Sequence, residues 1–123
     1  MAKILVIDDD ANIRLSVKLA LEDADHYVEE AADGVEGMAR IGAFKPQLVI
    51  TDIFMPDKEG LETIDDIRQL YPQVKIIAIS GGGRMEPGDY LAIAERIGAD
   101  RSLLKPFDIG ELVNAVEELL MAS

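Results

Sequence analysis

The 123-residue sequence predicts an α/β domain, an open parallel sheet with helices on both faces, and three observations carry that prediction. Short β-branched runs alternate with longer segments of helical period, giving five strands and five helices. The runs at 4–7 and 74–79 are apolar almost throughout, the pattern of strands covered on both sides. Apolar residues make up 49 % of the chain and charged ones 29 %, and the length gives room for one core, so residues 1–123 form a single domain.

In chain order, "KILVI" is the first strand, and the segment near 11–24 follows it as a helix because Ile13, Val17, Ala20, Leu21 and Ala24 fall on one face. The second strand, "HYVEEA", is more polar and is expected at an edge. A helix near 34–43 leads to "QLVIT", a helix near 58–70 to "VKIIAIS", and a helix near 87–97 to "SLLK". The last helix, near 108–121, carries Ile109, Leu112, Val113, Val116, Leu119 and Leu120 as one stripe. Right-handed crossovers of this length wind the sheet doubly into three layers, with the ligand crevice at the carboxyl ends of the strands.

Composition excludes several function classes. Cysteine is absent, so there is neither a disulfide framework nor a thiolate metal site. The start "MAKILVIDDD" has too short an apolar run for a signal peptide, and no stretch reaches membrane-spanning length; a cytoplasmic protein without membrane contact is expected. With 24 acidic and 12 basic residues the formal charge is −12, which argues against direct binding of nucleic acid or anionic lipid. The glycine cluster "SGGGRMEPGD" at 80–89 lacks the Lys-Ser/Thr ending of a phosphate-cradling P-loop and reads as a loop.

Chemistry gathers where the strands end. The first strand delivers Asp8 and Asp9, the third Asp52, the fourth Ser80 and the fifth Lys105. Neighbouring parallel strands lie about 4.8 Å apart, so these carboxylates crowd and resist ionisation unless a cation sits among them. A hard divalent ion with oxygen ligands, Mg2+, suits that set. Lys105 offers a point charge for an anionic oxygen and Ser80 a hydroxyl donor. Together they are what phosphoryl transfer onto Asp52 as nucleophile requires, since catalysis there is positioning and charge neutralisation. Each residue alone has a plainer reading: Asp8 or Asp10 as a helix cap contributing about 1 kcal/mol, Ser80 as a turn residue, Lys105 as a surface charge. Only their joint placement selects the chemical one. His26, the sole histidine, is read as a surface residue before an edge strand.

The motifs "ILVIDDD" at 4–10, "LVITDIFMPDKEG" at 48–60, "IIAIS" at 76–80, "GAD" at 98–100 and "LLKPF" at 103–107 together resemble the receiver domain of two-component response regulators, over essentially the whole chain. That resemblance implies a flavodoxin-like fold with strand order 2-1-3-4-5 and a cis bond between Lys105 and Pro106. It implies a phosphoryl group accepted on Asp52 from a phosphohistidine donor. Asp8, Asp9, Asp52 and the backbone carbonyl of Phe54 would hold Mg2+, with Ser80 and Lys105 on the phosphoryl oxygens. The protein would then be no enzyme beyond its own phosphorylation and dephosphorylation. Its partners would be a sensor histidine kinase or histidine phosphotransfer protein and a downstream effector protein or domain, with homodimerisation left open. Kinase choice would fall to exposed residues of the first helix and the loop after the fifth strand, and output to a face including Tyr90, Arg96, Ser102 and Glu117.

The sequence departs from the family pattern in two respects. Three residues before the lysine, where Tyr or Phe is usual, stands Ser102, so the aromatic half of the family's switch is missing. Phe54 and Gly82, beside the path of an attacking water, carry no polar side chain, which predicts slow loss of phosphate. The competing functions are weaker. A receiver that binds partners without phosphorylation is the main alternative. A flavodoxin-like flavin-binding electron carrier is opposed by the clustered aspartates in "DDDAN", which would repel the flavin phosphate, and an aspartate-nucleophile phosphoester hydrolase by Phe54 where a second acid is needed.

Overall fold

The computed structural model describes residues 2–53, 60–80 and 87–122, the stretch 87–91 in backbone only. Its strands are β1 (Lys3–Ile7), β2 (Tyr27–Ala31), β3 (Leu48–Asp52), β4 (Lys75–Ser80) and β5 (Arg101–Leu104). Between and after them run α1 (Ala11–Asp23), α2 (Gly34–Phe44), α3 (Gly60–Leu70), α4 (Pro87–Ile97) and α5 (Ile109–Met121). All pairings are parallel, in the order β2-β1-β3-β4-β5, so the polar second strand does lie at an edge. The fold is the flavodoxin-like doubly wound sheet.

The pleat sorts the apolar strand residues onto two faces. Leu5, Ile7, Val49 and Ile76 join Ile41 of α2, Ile64 and Ile67 of α3 and Ala94 of α4 in one cluster. Ile4, Val6, Ile50 and Ile77 join Val17 and Leu21 of α1 and Leu112 and Val116 of α5 in the other. Aspartates begin three of the helices near the carboxyl edge: Asp10 accepts from the Asn12 and Ile13 amides, Asp33 from the Glu36 amide and Asp108 from the Gly110 amide. The helix faces read from spacing are the buried ones, with one exception. Ile109, at the first turn of α5, is 39 % exposed because the stripe it begins reaches the sheet only from Leu112 onward.

His26 is not on the surface. It is buried, its Nδ1 accepting from the Ala2 amide at 3.1 Å and its Nε2 lying 2.6 Å from Glu117 Oε1. The amide makes Nδ1 the acceptor, so Nε2 carries the proton and donates to the carboxylate. Sequence position beside a polar strand concealed this, because the partner lies 91 residues away.

Arg68 near the end of α3 was also silent in the sequence. Its guanidinium donates to the carbonyls of Gly98 (2.7 Å), Pro72 (2.9 Å) and Val74 (3.0 Å) and pairs with Asp100 at 3.0 Å, whose carboxylate accepts from the Ile76 amide at 2.8 Å. One side chain thus joins the turn before β4 to the turn before β5. Gly98 has φ +153° and packs on Arg68, where a Cβ would come within 3.1 Å of the Arg68 side chain. Arg68→Ala leaves these carbonyls and the Asp100 carboxylate short of their donor, and is expected to cost about 2 kcal/mol given the partial exposure of the pair. Urea unfolding with an unchanged m-value would measure it.

Candidate functional site

The sequence-selected residues meet at the carboxyl edge of the sheet. Asp8 follows β1 and is fully buried, Asp52 is the last residue of β3 and is 4 % exposed, and Ser80 ends β4, fully buried. Lys105, just past β5, places Nζ 2.8 Å from Asp52 Oδ2 and 2.9 Å from Asp8 Oδ2. Asp9 is exposed, yet Asp8, Asp9 and Asp52 each offer an oxygen within 4.8 Å of the others. Ser80 Oγ is buried and has no hydrogen-bond partner among the described residues. A buried hydroxyl left unpaired costs free energy unless something docks against it.

Burial raises the Asp8 carboxyl above its ordinary range; the Asp10 amide at 2.9 Å and the Lys105 ammonium act against that rise, and the Asp52 charge adds to it. For Lys105, burial acts downward, but the Asp52 and Asp8 carboxylates outweigh it and hold the ammonium above its ordinary pKa. Among the described residues the site sets one lysine against three carboxylates. The ligand atoms these offer are all oxygen, and an ion of charge +2 would offset their mutual repulsion, so the residues fit a hard divalent cation.

Neighbouring groups hold this geometry. The Lys105 amide donates to the Ser80 carbonyl at 2.7 Å and the Ile53 amide to the Ile79 carbonyl at 3.0 Å, aligning the ends of β3, β4 and β5. Arg14, paired with Glu30 at 3.2 Å, donates to the Asp8 carbonyl at 2.6 Å and ties the turn after β1 to α1. Gly60 enters α3 directly over the phosphoacceptor candidate, and a Cβ there would run into the Asp52 carbonyl oxygen and the Ile53 Cα. Sequence reading missed both Arg14 and Gly60. The glycine at the end of "LVITDIFMPDKEG" was the available signal, since only a residue without Cβ allows so close a return of the chain.

The bond between Lys105 and Pro106 is cis. Phe54, Gly82 and the glycine cluster over 81–86 lie outside the described residues, as does the Tyr90 side chain. Ser102 is half-buried and its hydroxyl donates to Glu95 Oε2 at 2.5 Å, joining β5 to α4 at the position of the missing aromatic. Glu117 does not belong with Arg96 and Ser102: it is drawn to His26 beside β2, whereas Glu118, paired with Arg101 at 3.0 Å, is the α5 carboxylate that faces β5. Among the described residues no helix is long and apolar enough to cross a membrane.

The family model described as "Response regulator receiver domain" matches residues 4–117. Over 112 residues the chain is 38 % identical to the KDP operon transcriptional regulatory protein KdpE of Escherichia coli, covering 91 % of this chain and 48 % of KdpE. It is 32 % identical to the chemotaxis protein CheY of Listeria monocytogenes, covering 96 % of this chain and 98 % of CheY. The crystal structure of a CheY-like receiver domain protein from Methanospirillum hungatei superposes with a TM-score of 0.90 at 33 % identity, covering 99 % of this chain and 95 % of that one. The chain therefore spans about half the length of KdpE but nearly all of CheY.

Proposed function

Since the chain belongs to the response regulator receiver domains of two-component systems, we propose that it takes a phosphoryl group from a phosphohistidine donor onto Asp52 and thereby switches the binding of a partner. The observation that carries this is the pairing of a buried Asp52 with Lys105 at 2.8 Å beside Asp8 and an unpartnered Ser80 hydroxyl. An Asp52 carboxylate oxygen attacks phosphorus as the P–N bond breaks, and the bonding pair returns to the histidine nitrogen, which leaves as neutral imidazole when its other nitrogen carries the proton. Lys105 neutralises charge gathering on the phosphoryl oxygens, and the Ser80 hydroxyl gains the acceptor it lacks. Asp8, Asp9 and Asp52, with the Phe54 carbonyl as fourth ligand, would hold Mg2+, which when bound supplies charge neutralisation for the incoming group.

The donor would be a sensor histidine kinase or a histidine phosphotransfer protein. Leu15 and Leu19, one turn apart on α1 and 53 % and 57 % exposed, offer such a partner an apolar ridge. A downstream effector protein or domain would read the result on α4 and β5, where Arg96 is exposed and Ser102 is linked to Glu95. With no aromatic at residue 102, the Ser102–Glu95 hydrogen bond is one contact through which α4 and β5 would move together.

Incubation with acetyl phosphate followed by intact-mass spectrometry tests the reading. One added phosphoryl group that requires both Mg2+ and Asp52, and is absent in Asp52→Asn, is the expected result. A folded wild type that takes no adduct under any condition would leave a receiver that binds its partner independently of phosphate.

A further inference from the structure

The opposite edge of the sheet carries a second concavity. A cleft of about 540 Å³ lies at the amino-terminal ends of β3 and β4, within the size range of small-molecule sites. Its apolar wall includes Ile41, Tyr71, Val74 and Leu120, and its polar lining includes Lys45 and Lys75. Among the described residues no lining residue is acidic, although the chain holds 24 Asp and Glu among 123 residues. About two would be expected among the lining residues by proportion, so their absence leaves a basic concavity on an acidic protein.

Backbone bonds align the strand starts that carry Lys75 and the neighbouring Lys3. The Lys75 amide donates to the Gln47 carbonyl at 3.0 Å and the Gln47 amide to the Lys3 carbonyl at 2.8 Å, so Lys3, Gln47 and Lys75 stand in a row across three strand starts. Lys3 Nζ rests on Phe44, 5.5 Å from the ring centre. Neither Lys45 nor Lys75 pairs with a carboxylate among the described residues, which they share with Lys3 and Arg96, whereas Arg14, Lys18, Arg40, Arg68, Arg101 and Lys105 all do. Lys45 also sits where the backbone disfavours it. It ends α2 with φ 56° and ψ 60°, a left-handed conformation that glycine or asparagine adopts at lower cost. A cation kept at a strained position, unpaired, on the rim of an apolar cleft is a feature that folding alone does not require.

We propose that this cleft binds a small amphipathic organic anion, its apolar body on Ile41, Tyr71 and Val74 and its anionic group met by Lys45 and Lys75. Such a site lies at the far edge of the sheet from Asp52 and stands whether or not Asp52 is phosphorylated. Lysines without arginine supply point charges rather than a planar fork, which suits a phosphate or sulfonate oxygen as well as a carboxylate.

The test is an amide-resolved NMR titration of the 15N-labelled chain with 1-naphthyl phosphate, run beside 2-naphthol and inorganic phosphate. Saturable shifts centred on Gln47, Val74 and Lys75 are expected, with affinity about tenfold or more above either control and about tenfold weaker in the K45Q/K75Q double variant. The single variant Lys75→Gln carries the comparison should the double variant lose its native spectrum. Shifts confined to Ser80, Lys105 and their neighbours would assign the phosphate to the Asp52 site and overturn the proposal. So would equal binding of 2-naphthol, which would leave only an apolar crevice, and so would the lack of any saturable shift.

Discussion

Asp8→Asn is expected to make the metal-free protein more stable while removing its response to Mg2+ and nearly all of its phosphorylation. Asp8 is fully buried, and burial lifts its carboxyl above the ordinary range, so ionising it costs more in the folded state than in the unfolded one. The sign of the linkage follows. With the folded pKa above the unfolded one, the folded state binds the proton more tightly, so stability is highest below the unfolded value of 3.8 and is lost as pH rises through the raised folded value. Asparagine keeps the acceptor for the Asp10 amide and carries no charge, which removes that loss, and the gain at neutral pH is what remains after its NH2 group takes the place of the oxygen that faces Lys105. Excess Mg2+ stabilises the wild type through RT ln(1 + [Mg2+]/Kd), about 2–3 kcal/mol at tens to hundreds of Kd, and leaves the variant unmoved. Thermal unfolding from pH 4 to 8 with and without Mg2+ reads both effects, and acetyl phosphate labelling reads the third. A variant less stable than wild type at pH 7 without metal would show that the Lys105 pair outweighs burial at this residue.

That opposition between stability and chemistry also explains which parts of the molecule the sequence could disclose. Strand and helix were legible because each obeys a period its own residues display: "IIAI" is buried on both faces, and the α1 positions Val17 and Leu21 are buried one turn apart. The site was legible because its members break local rules in the same place, with acids, a hydroxyl and a lysine set at the ends of apolar strands. Position 26 was misread for the converse reason. A histidine next to an exposed tyrosine has no local sign of burial, and its burial depends on Glu117 and on the Ala2 amide. Arg68 and Arg14 act on backbone carbonyls, which every residue possesses, so nothing in the sequence of their targets marks the contact. Glu117 was placed on the wrong side of α5 because one step along a helix turns a side chain by about 100°; Glu118, its neighbour, is the one that meets Arg101.

Lys105→Met is expected to slow phosphorylation of Asp52 by about 10²–10³-fold, the size of effect seen when one preorganised donor to developing charge is removed. The same substitution should tighten Mg2+ binding, because it deletes a cation lying 2.8 Å and 2.9 Å from two of the carboxylates that would hold the metal. It should also destabilise the metal-free fold by about 2–4 kcal/mol, since the buried Asp8 and Asp52 lose the ammonium that lies within 2.9 Å of both, and added Mg2+ should restore much of that. These signs differ, and a merely misfolded variant could not produce them together. Loss of structure would weaken metal binding and phosphorylation alike. Calorimetric titration with Mg2+, unfolding with and without the metal, and the initial rate of acetyl phosphate labelling separate the three. Lys105→Arg sharpens the comparison, for it keeps the charge while replacing a compact ammonium by a broad planar group in a site where the lysine side chain is only 17 % exposed. A rate close to wild type in Lys105→Met would reduce Lys105 to a structural ion pair and leave Ser80 and the metal to carry the charge of the transferred group.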